Sequence, residues 1–162
     1  MTGQPTRQLP LGDYLKIKAG TRELTKLAGG QEAAAGVTRR SHVSIGRYGR
    51  PQDPDFAPVD VVADLEAEVG AVPVTRVLAD LAGFVLVAKP KVAGGPDWAR
   101  QVGGFAKEAG EAISRLGAAL AKDGTVTAEE IRALNLRREV REAMEALAAV
   151  DASLRAIEEA GR

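Results

Sequence analysis

Apolar positions recur at helical spacing along most of this chain, most informatively in residues 29–50. Residues 31–37 predict a short helix rich in Ala, and after a turn a second short helix carries Ile45 and Tyr48 three positions apart. Residues at that spacing share one helix face, so we predict that both face the core. Ser41 is a favoured N-cap residue for the second helix, and the pair as a whole is typical of a helix-turn-helix.

Short helices are predicted upstream of this pair. Residues 11–19 form one, ended by Gly20, because glycine weakens a helix interior. Thr21 is then the expected N-cap of a second helix that stops at Gly29-Gly30. Within the pair itself, Ala35 and Ile45 stand ten residues apart, which matches the spacing of buried helix-turn-helix positions.

Two more helices are predicted downstream. The Pro-rich stretch 51–58 cannot continue a helix, and amphipathic patterns follow at 59–69 and 72–82. The apolar run 84–87 is either a strand or an extended segment that packs back on the domain. Residues 10–87 therefore predict a compact helix-turn-helix domain of five to six short helices.

The second half of the chain has a different pattern. Residues 88–97 are rich in Pro and Gly and predict a linker, while the polar residues 1–9 predict a disordered N-terminus. Residues 98–162 predict two long helices in an antiparallel hairpin. The second of them starts at a capping box, Thr127 with Glu130, and continues to about residue 159. The expected fold class is all-α.

The long helices carry an apolar heptad pattern, which favours helix association. Because many of its positions are Ala, the hairpin core is thin, and the remaining apolar positions are buried best against another chain. We predict that 98–162 is an oligomerisation domain. Its expected contact residues are Trp98, Phe105, Leu116, Leu120, Val140, Leu147, Val150, Leu154 and Ile157.

Composition narrows the chemistry. The chain has no Cys and a single His, which argues against disulfides, thiolate or His-based metal sites and His-dependent triads. It has no nucleotide-binding motif, so we expect no enzyme, cofactor or metal. Asp123–Glu130 resembles half of a calcium loop, but Ala119 and Ala121 stand where ligands are needed. The sequence contains no membrane-length apolar run and no signal pattern, and we expect a cytoplasmic protein.

The neutral net charge is unevenly distributed. Residues 1–50 contain nine Lys/Arg and three Asp/Glu, a net charge of +6, and residues 51–162 carry −6. A basic region around a helix-turn-helix is typical of nucleic-acid binding. Expected DNA contacts are Arg39, Arg40, Ser41, His42, Val43, Ser44, Arg47 and Arg50, with further backbone contacts from Lys16, Lys18, Arg22 and Lys26. Among them, Arg47 is expected to read guanine.

Three segments strengthen this prediction through a family resemblance. They are TRELTKLAGGQEAAAGVTRRSHVSIGRYG, PDFAPVDVVADLEAEVG and PVTRVLADLAGFVLV. Together, over roughly residues 13–87, they resemble the CII-type regulatory proteins of P2-like phages and prophages. The resemblance implies a lambda-repressor-like DNA-binding domain in an oligomer that acts at lysogeny promoters. Arg40, where an apolar residue is expected, and Gly46, where Ser is common, depart from the family pattern.

Two hypotheses about function follow. The first is a sequence-specific transcriptional regulator that binds double-stranded DNA as a dimer or tetramer and contacts RNA polymerase. The second is a protein–protein adaptor in which the C-terminal helices bind a polymerase subunit or another regulator.

Overall fold

The computed structural model describes residues 7–88 and 97–161, and the regular secondary structure of these residues is helical, without a strand. The eight described helices are α1 (Leu11–Leu27), α2 (Gln31–Gly36), α3 (His42–Tyr48), α4 (Val59–Val69), α5 (Pro73–Leu81), α6 (Trp98–Leu120), α7 (Ala128–Ala133) and α8 (Leu136–Ala160). The all-α fold class is therefore confirmed. The chain divides into two compact units, Met1–Leu86 and Val87–Arg162. Residues 1–6 of the predicted disordered N-terminus and 89–96 of the predicted linker lie outside the described residues.

The N-terminal unit is built around α1, which contacts each of α2, α3, α4 and α5. Its core consists of buried apolar side chains from all five helices: Leu24, Ala34, Ile45, Tyr48, Val61, Val62, Leu65 and Val74. Burial of such side chains is the main contribution to the stability of a small domain. The five helices of this unit fall within the predicted number.

The prediction that Gly20 ends a helix is wrong, since α1 continues through Gly20 and Thr21. Gly20 is buried, and a Cβ atom there would lie 3.3 Å from the Pro73 carbonyl oxygen. The glycine thus permits close packing of α1 on α5. Thr21 is not an N-cap, because its hydroxyl donates to the Ile17 carbonyl at 3.0 Å, one turn earlier in the same helix.

A buried carboxylate joins α4 to α5. Glu66 Oε1 accepts hydrogen bonds from the backbone N–H groups of Val74 and Thr75, each at 2.9 Å, and Oε2 accepts one from the Thr75 hydroxyl. The first N–H groups of a helix have no partner within it, so Glu66 satisfies the N-terminus of α5. Pro73 occupies the first position of that helix, where its missing N–H costs nothing.

The apolar run after α5 forms neither a strand nor a packed segment. Phe84 and Val85 are 71 % and 73 % exposed, and residues 84–88 have no regular secondary structure. Both predicted alternatives for this run are therefore wrong.

In the C-terminal unit, α6 and α8 pack along each other. Gly103 and Gly104 do not interrupt α6. The predicted capping box is confirmed, since the Thr127 hydroxyl accepts from the Glu130 N–H at 3.2 Å and the Glu130 carboxylate accepts from the Thr127 N–H at 2.9 Å. The helix it starts ends at Ala133, however, and Asn135 takes a left-handed conformation (φ 52°) before α8. The expected single helix to residue 159 is therefore two helices.

The buried face of α8 is rotated from the predicted seam. Leu136, Glu139 and Ser153 are its buried residues, whereas Val140 and Leu147 of the predicted seam are exposed. Glu139 Oε1 lies 3.3 Å from Arg115 Nε of α6, and Arg115 Nη1 donates to the Leu134 carbonyl. A buried carboxylate with its arginine thus takes part in the contact between α6 and α8, while Val140 and Leu147 remain exposed.

Candidate nucleic-acid interface

The two helices α2 and α3 and the five-residue turn from Val37 to Ser41 form the centre of the candidate site. Ser41 is the N-cap of α3: it has extended backbone angles, and its hydroxyl accepts a hydrogen bond from the Ser44 N–H at 3.3 Å. Ile45 and Tyr48 are buried in the core, as predicted. This cap and this buried face together set the start and the rotation of α3.

The close-packing residue of α2 is Ala34 rather than the predicted Ala35. Ala34 is fully buried in the core, while Ala35 is half-buried. The sequence run Ala33-Ala34-Ala35 offered three equivalent small side chains, and spacing alone selected the wrong one.

Two glycines of the site lie where helices approach closely. A Cβ atom at Gly46 would collide with the Gln31 side chain of α2, and one at Gly49 would lie 3.2 Å from the Arg22 Cβ of α1. Arg22 Nη1 also donates to the Gly49 carbonyl at 3.2 Å. The end of α3 is thus held against α1 by direct contact, which gives Arg22 a structural contact in addition to its expected one with DNA.

The outward face of α3 presents part of the predicted contact set. His42, Val43 and Arg47 are exposed, with Val43 exposed over 58 % of its surface. Ser44 is half-buried, and the Ser41 hydroxyl is engaged as the cap.

Arg47, the predicted guanine reader, is held by two carboxylates of the following loop. Its Nε lies 2.9 Å from Asp53 Oδ2, and its Nη2 lies 3.1 Å from Asp55 Oδ2. The hydrogen bond to Arg47 holds the pKa of Asp53 below its usual value, and the same pair raises the pKa of Arg47. Asp53 and Asp55 were not predicted as site residues, because both lie in a loop whose path sequence patterns do not define.

The other predicted arginines lie in different environments. Arg39 forms a two-point contact with Asp60 at the start of α4, with Nη2 at 3.1 Å from Oδ1 and Nε on Oδ2. Arg40 is half-buried, and its Nε is a buried donor without a partner. Arg50 is exposed. Of these three arginines expected to contact DNA, Arg50 is thus exposed, Arg39 is paired within the chain and Arg40 is half-buried.

Lys18 does not lie on the surface, contrary to its predicted backbone contact with DNA. Only 2 % of the residue is exposed. Its Nζ donates to the Asp55 carbonyl and lies 4.2 Å from the centre of the Phe56 ring. Burial is the main cause that lowers the pKa of Lys18, opposed by Asp53 and Asp55. Lys18 therefore fixes the loop that carries Asp53 and Asp55, the two carboxylates that pair with Arg47. Of the other two lysines, Lys16 pairs with Asp13 at 2.8 Å and Lys26 is exposed.

The charge asymmetry lies within the N-terminal unit rather than between the two units. Residues 1–86 contain ten Lys/Arg and ten Asp/Glu, so this unit is neutral as a whole. Asp53, Asp55 and Asp60 all face arginines of the preceding basic region. The basic region therefore has compensating carboxylates beside it.

The predicted oligomerisation residues divide into two groups. Phe105, Leu116 and Val150 are half-buried. The remaining predicted residues are exposed: Trp98, Leu120, Val140, Leu147, Leu154 and Ile157. On α8, Val140, Leu147 and Leu154 repeat every seven residues, which places them in one stripe.

None of the described helices is long and apolar enough to span a membrane. Within residues 7–88 and 97–161, no group of three or more His, Cys, Asp or Glu side chains is arranged to hold a metal ion. Comparisons of this chain with protein-family models, with curated proteins and with solved structures found no match.

Proposed function

We propose that this chain is a sequence-specific DNA-binding transcriptional regulator of phage or prophage type, which acts at promoters as an oligomer in the cytoplasm. The arrangement of α2, the turn and α3 carries this proposal. α3 is capped at Ser41, anchored by Ile45 and Tyr48, and exposes His42 and Val43 in its first turn. In a helix-turn-helix, the N-terminal residues of the second helix contact base edges in the major groove.

The carboxylates beside Arg47 are compatible with base reading. A guanidinium group has five N–H donors, and Asp53 and Asp55 engage one on Nε and one on Nη2. Three donors remain, on Nη1 and Nη2, which is enough for a bidentate contact with guanine O6 and N7. We infer that the two carboxylates orient Arg47 toward a base edge and, through their negative charge, oppose non-specific attraction to phosphates.

The test begins with selection of bound fragments from genomic DNA, followed by titration of the chain with the selected duplex and with a random one. For Arg47→Ala we expect a loss of about fivefold to 150-fold in specific affinity, the range of one bidentate base contact. Arg76→Ala is the matched control, because Arg76 is an exposed arginine of the same unit, on α5. Equal affinity of the Arg47 variant and the parent for the selected duplex would contradict the base-reading role.

The second candidate is a protein–protein adaptor that uses its C-terminal helices. The neutral charge of the N-terminal unit and the exposed apolar stripe on α8 favour it. If the chain fails to bind any duplex at low salt, where phosphate attraction is strongest, the adaptor becomes the better proposal.

A further inference from the structure

An apolar groove opens on the N-terminal unit between α1, α4 and α5. Its volume is about 430 Å³, and its walls include Ile17, Val59, Val62 and Leu78. The carboxylate of Glu66 also lines it, but this group already accepts three hydrogen bonds from α5. Since burial of a further charge would be costly, the walls favour an uncharged apolar occupant.

A segment with that chemistry lies in the same unit. Residues 84–86 are uncharged and follow α5, and Phe84 and Val85 are largely exposed. Gly83 ends the helix with φ 79°, and the Phe84 N–H donates to the Ala79 carbonyl at 2.8 Å. This hydrogen bond fixes the start of the segment at the end of α5, where the exposed Phe84 ring does not fill the groove of its own chain.

We propose that residues 84–86 of one copy insert into the groove of a second copy, and that the same segment of the second copy inserts into the groove of the first. A fully buried Phe covers about 150–250 Å², so two reciprocal Phe84 side chains bury at most about 300–500 Å² of their own surface. The groove walls and the exposed side chains of Val85 and Leu86 add to this area, in the direction of the roughly 1,200 Å² at which stable interfaces begin.

The reciprocal form follows from symmetry. One chain carries both the segment and the groove, so a two-fold axis between two copies satisfies both contacts and closes the assembly as a dimer. The interface lies in the N-terminal unit and is separate from the predicted contacts of α6 and α8. It does not depend on DNA binding, and its test contains no DNA.

The absence of cysteine from the chain permits a direct test by disulfide formation in the full-length protein. One chain carries Val59→Cys at the rim of the groove, and a second chain, extended by a tag that changes its mass, carries Val85→Cys. Both positions are exposed, so neither substitution affects the core. After mixing and mild oxidation, we expect the mixed disulfide to exceed both symmetric products at least fivefold.

The control pairs Val43→Cys with Val85→Cys, because Val43 is an exposed apolar residue of α3 outside the groove. Association through α6 and α8 would raise the yield of the mixed disulfide equally in both pairs. If the disulfide between the Val59→Cys and Val85→Cys chains forms no faster than the disulfide of this control pair, the proposal is overturned. It is overturned equally if a double variant, Val59→Cys with Val85→Cys, closes a disulfide within one chain at high dilution, since the segment then fills its own groove.

A charge on the segment gives an independent measurement. Phe84→Asp, introduced into the Val85→Cys chain, places a carboxylate at the groove, and we expect the mixed disulfide to fall at least tenfold. Leu27→Asp is the matched control, because Leu27 is exposed on α1 and does not line the groove. Because Phe84 is exposed, thermal unfolding of the single chain should be unchanged. An undiminished cross-link in the Phe84 variant would contradict the insertion.

Discussion

Arg47 Nε lies 2.9 Å from Asp53 Oδ2, so the residue expected to read a base is already oriented by a carboxylate six positions later. Arg47 is half-exposed in this pair, and exposed ion pairs contribute little to stability. The pair is therefore better understood as a constraint on the direction of the guanidinium group than as a source of folding energy.

The first prediction concerns that constraint. Asp53→Asn removes a negative charge beside α3 and frees the guanidinium group of Arg47 from its main partner. We expect affinity for a random duplex to rise about threefold to tenfold, because the attraction to phosphates becomes stronger when the negative charge is removed. The ratio of specific to random affinity should fall, because Arg47 is no longer oriented toward a base.

The measurement is a salt titration of binding to both duplexes. Asp64→Asn on α4 is the control, since it removes the same charge from an exposed position without an ion pair to Arg47. A preserved specificity ratio in the Asp53 variant would show that the carboxylate does not orient Arg47.

The second prediction concerns the exposed stripe on α8. Leu147→Asp places a charge in the middle of the stripe formed with Val140 and Leu154. Since Leu147 is about half exposed, we expect the helix content to be retained and the assembly to become smaller. Light scattering measures the mass of the assembly. The control is Arg137→Asp, which changes an exposed position of the same helix. An unchanged number of chains in the Leu147 variant would contradict association through this stripe.

The third prediction concerns the buried Glu66. Glu66→Ala leaves the N-terminus of α5 without its acceptor, and we expect a loss of roughly 2–3 kcal/mol in the free energy of unfolding. Glu66→Gln retains an oxygen for the Val74 and Thr75 N–H groups and should lose less. Denaturant unfolding compares both with Glu68→Ala, an exposed carboxylate of the same helix. Equal stability of the Glu66 and Glu68 alanine variants would contradict the capping role.

The fourth prediction concerns pH. Hydrogen bonds from the Thr127 N–H and hydroxyl lower the pKa of Glu130 below its usual value. A depressed folded pKa means that the capping contribution is complete above the unfolded pKa and is lost as pH falls through the folded value. We expect the Thr127 amide resonance to titrate with a midpoint below the pKa that glutamate has in the unfolded chain, and this step to vanish in Glu130→Gln. A midpoint at or above the unfolded value would contradict the hydrogen bonds.

Local rules predicted the parts of this fold that depend on neighbouring residues. The Ser41 cap, the buried pair Ile45 and Tyr48, and the box at Thr127 all arise within one or two turns of helix, where hydrogen-bond chemistry and spacing are sufficient. The same rules failed where a distant residue decides the outcome. Glycine is typical of a helix end, but Gly20 lies inside α1. A glycine is needed there because the Pro73 backbone, 53 positions away, approaches it closely.

The candidate site shows the same division. Spacing predicted which residues of α3 face outward, because that depends on the helix alone. The carboxylates at Asp53 and Asp55 and the burial of Lys18 depend on how the loop after α3 folds against α1. Charge counted along the sequence therefore overstated how much positive charge the folded surface offers to DNA.

The Glu139–Arg115 pair also limits how the two long helices can align. Small residues such as Ala112 and Ala119 line the α6 side of the contact, and smooth faces of this kind fit one another equally well at several longitudinal offsets. A shift of one turn, about 5.4 Å, would separate Arg115 from the buried Glu139, whose carboxylate would keep only Arg138 of its own helix as a cationic partner. The ion pair thus favours one longitudinal offset of the two helices over its neighbours.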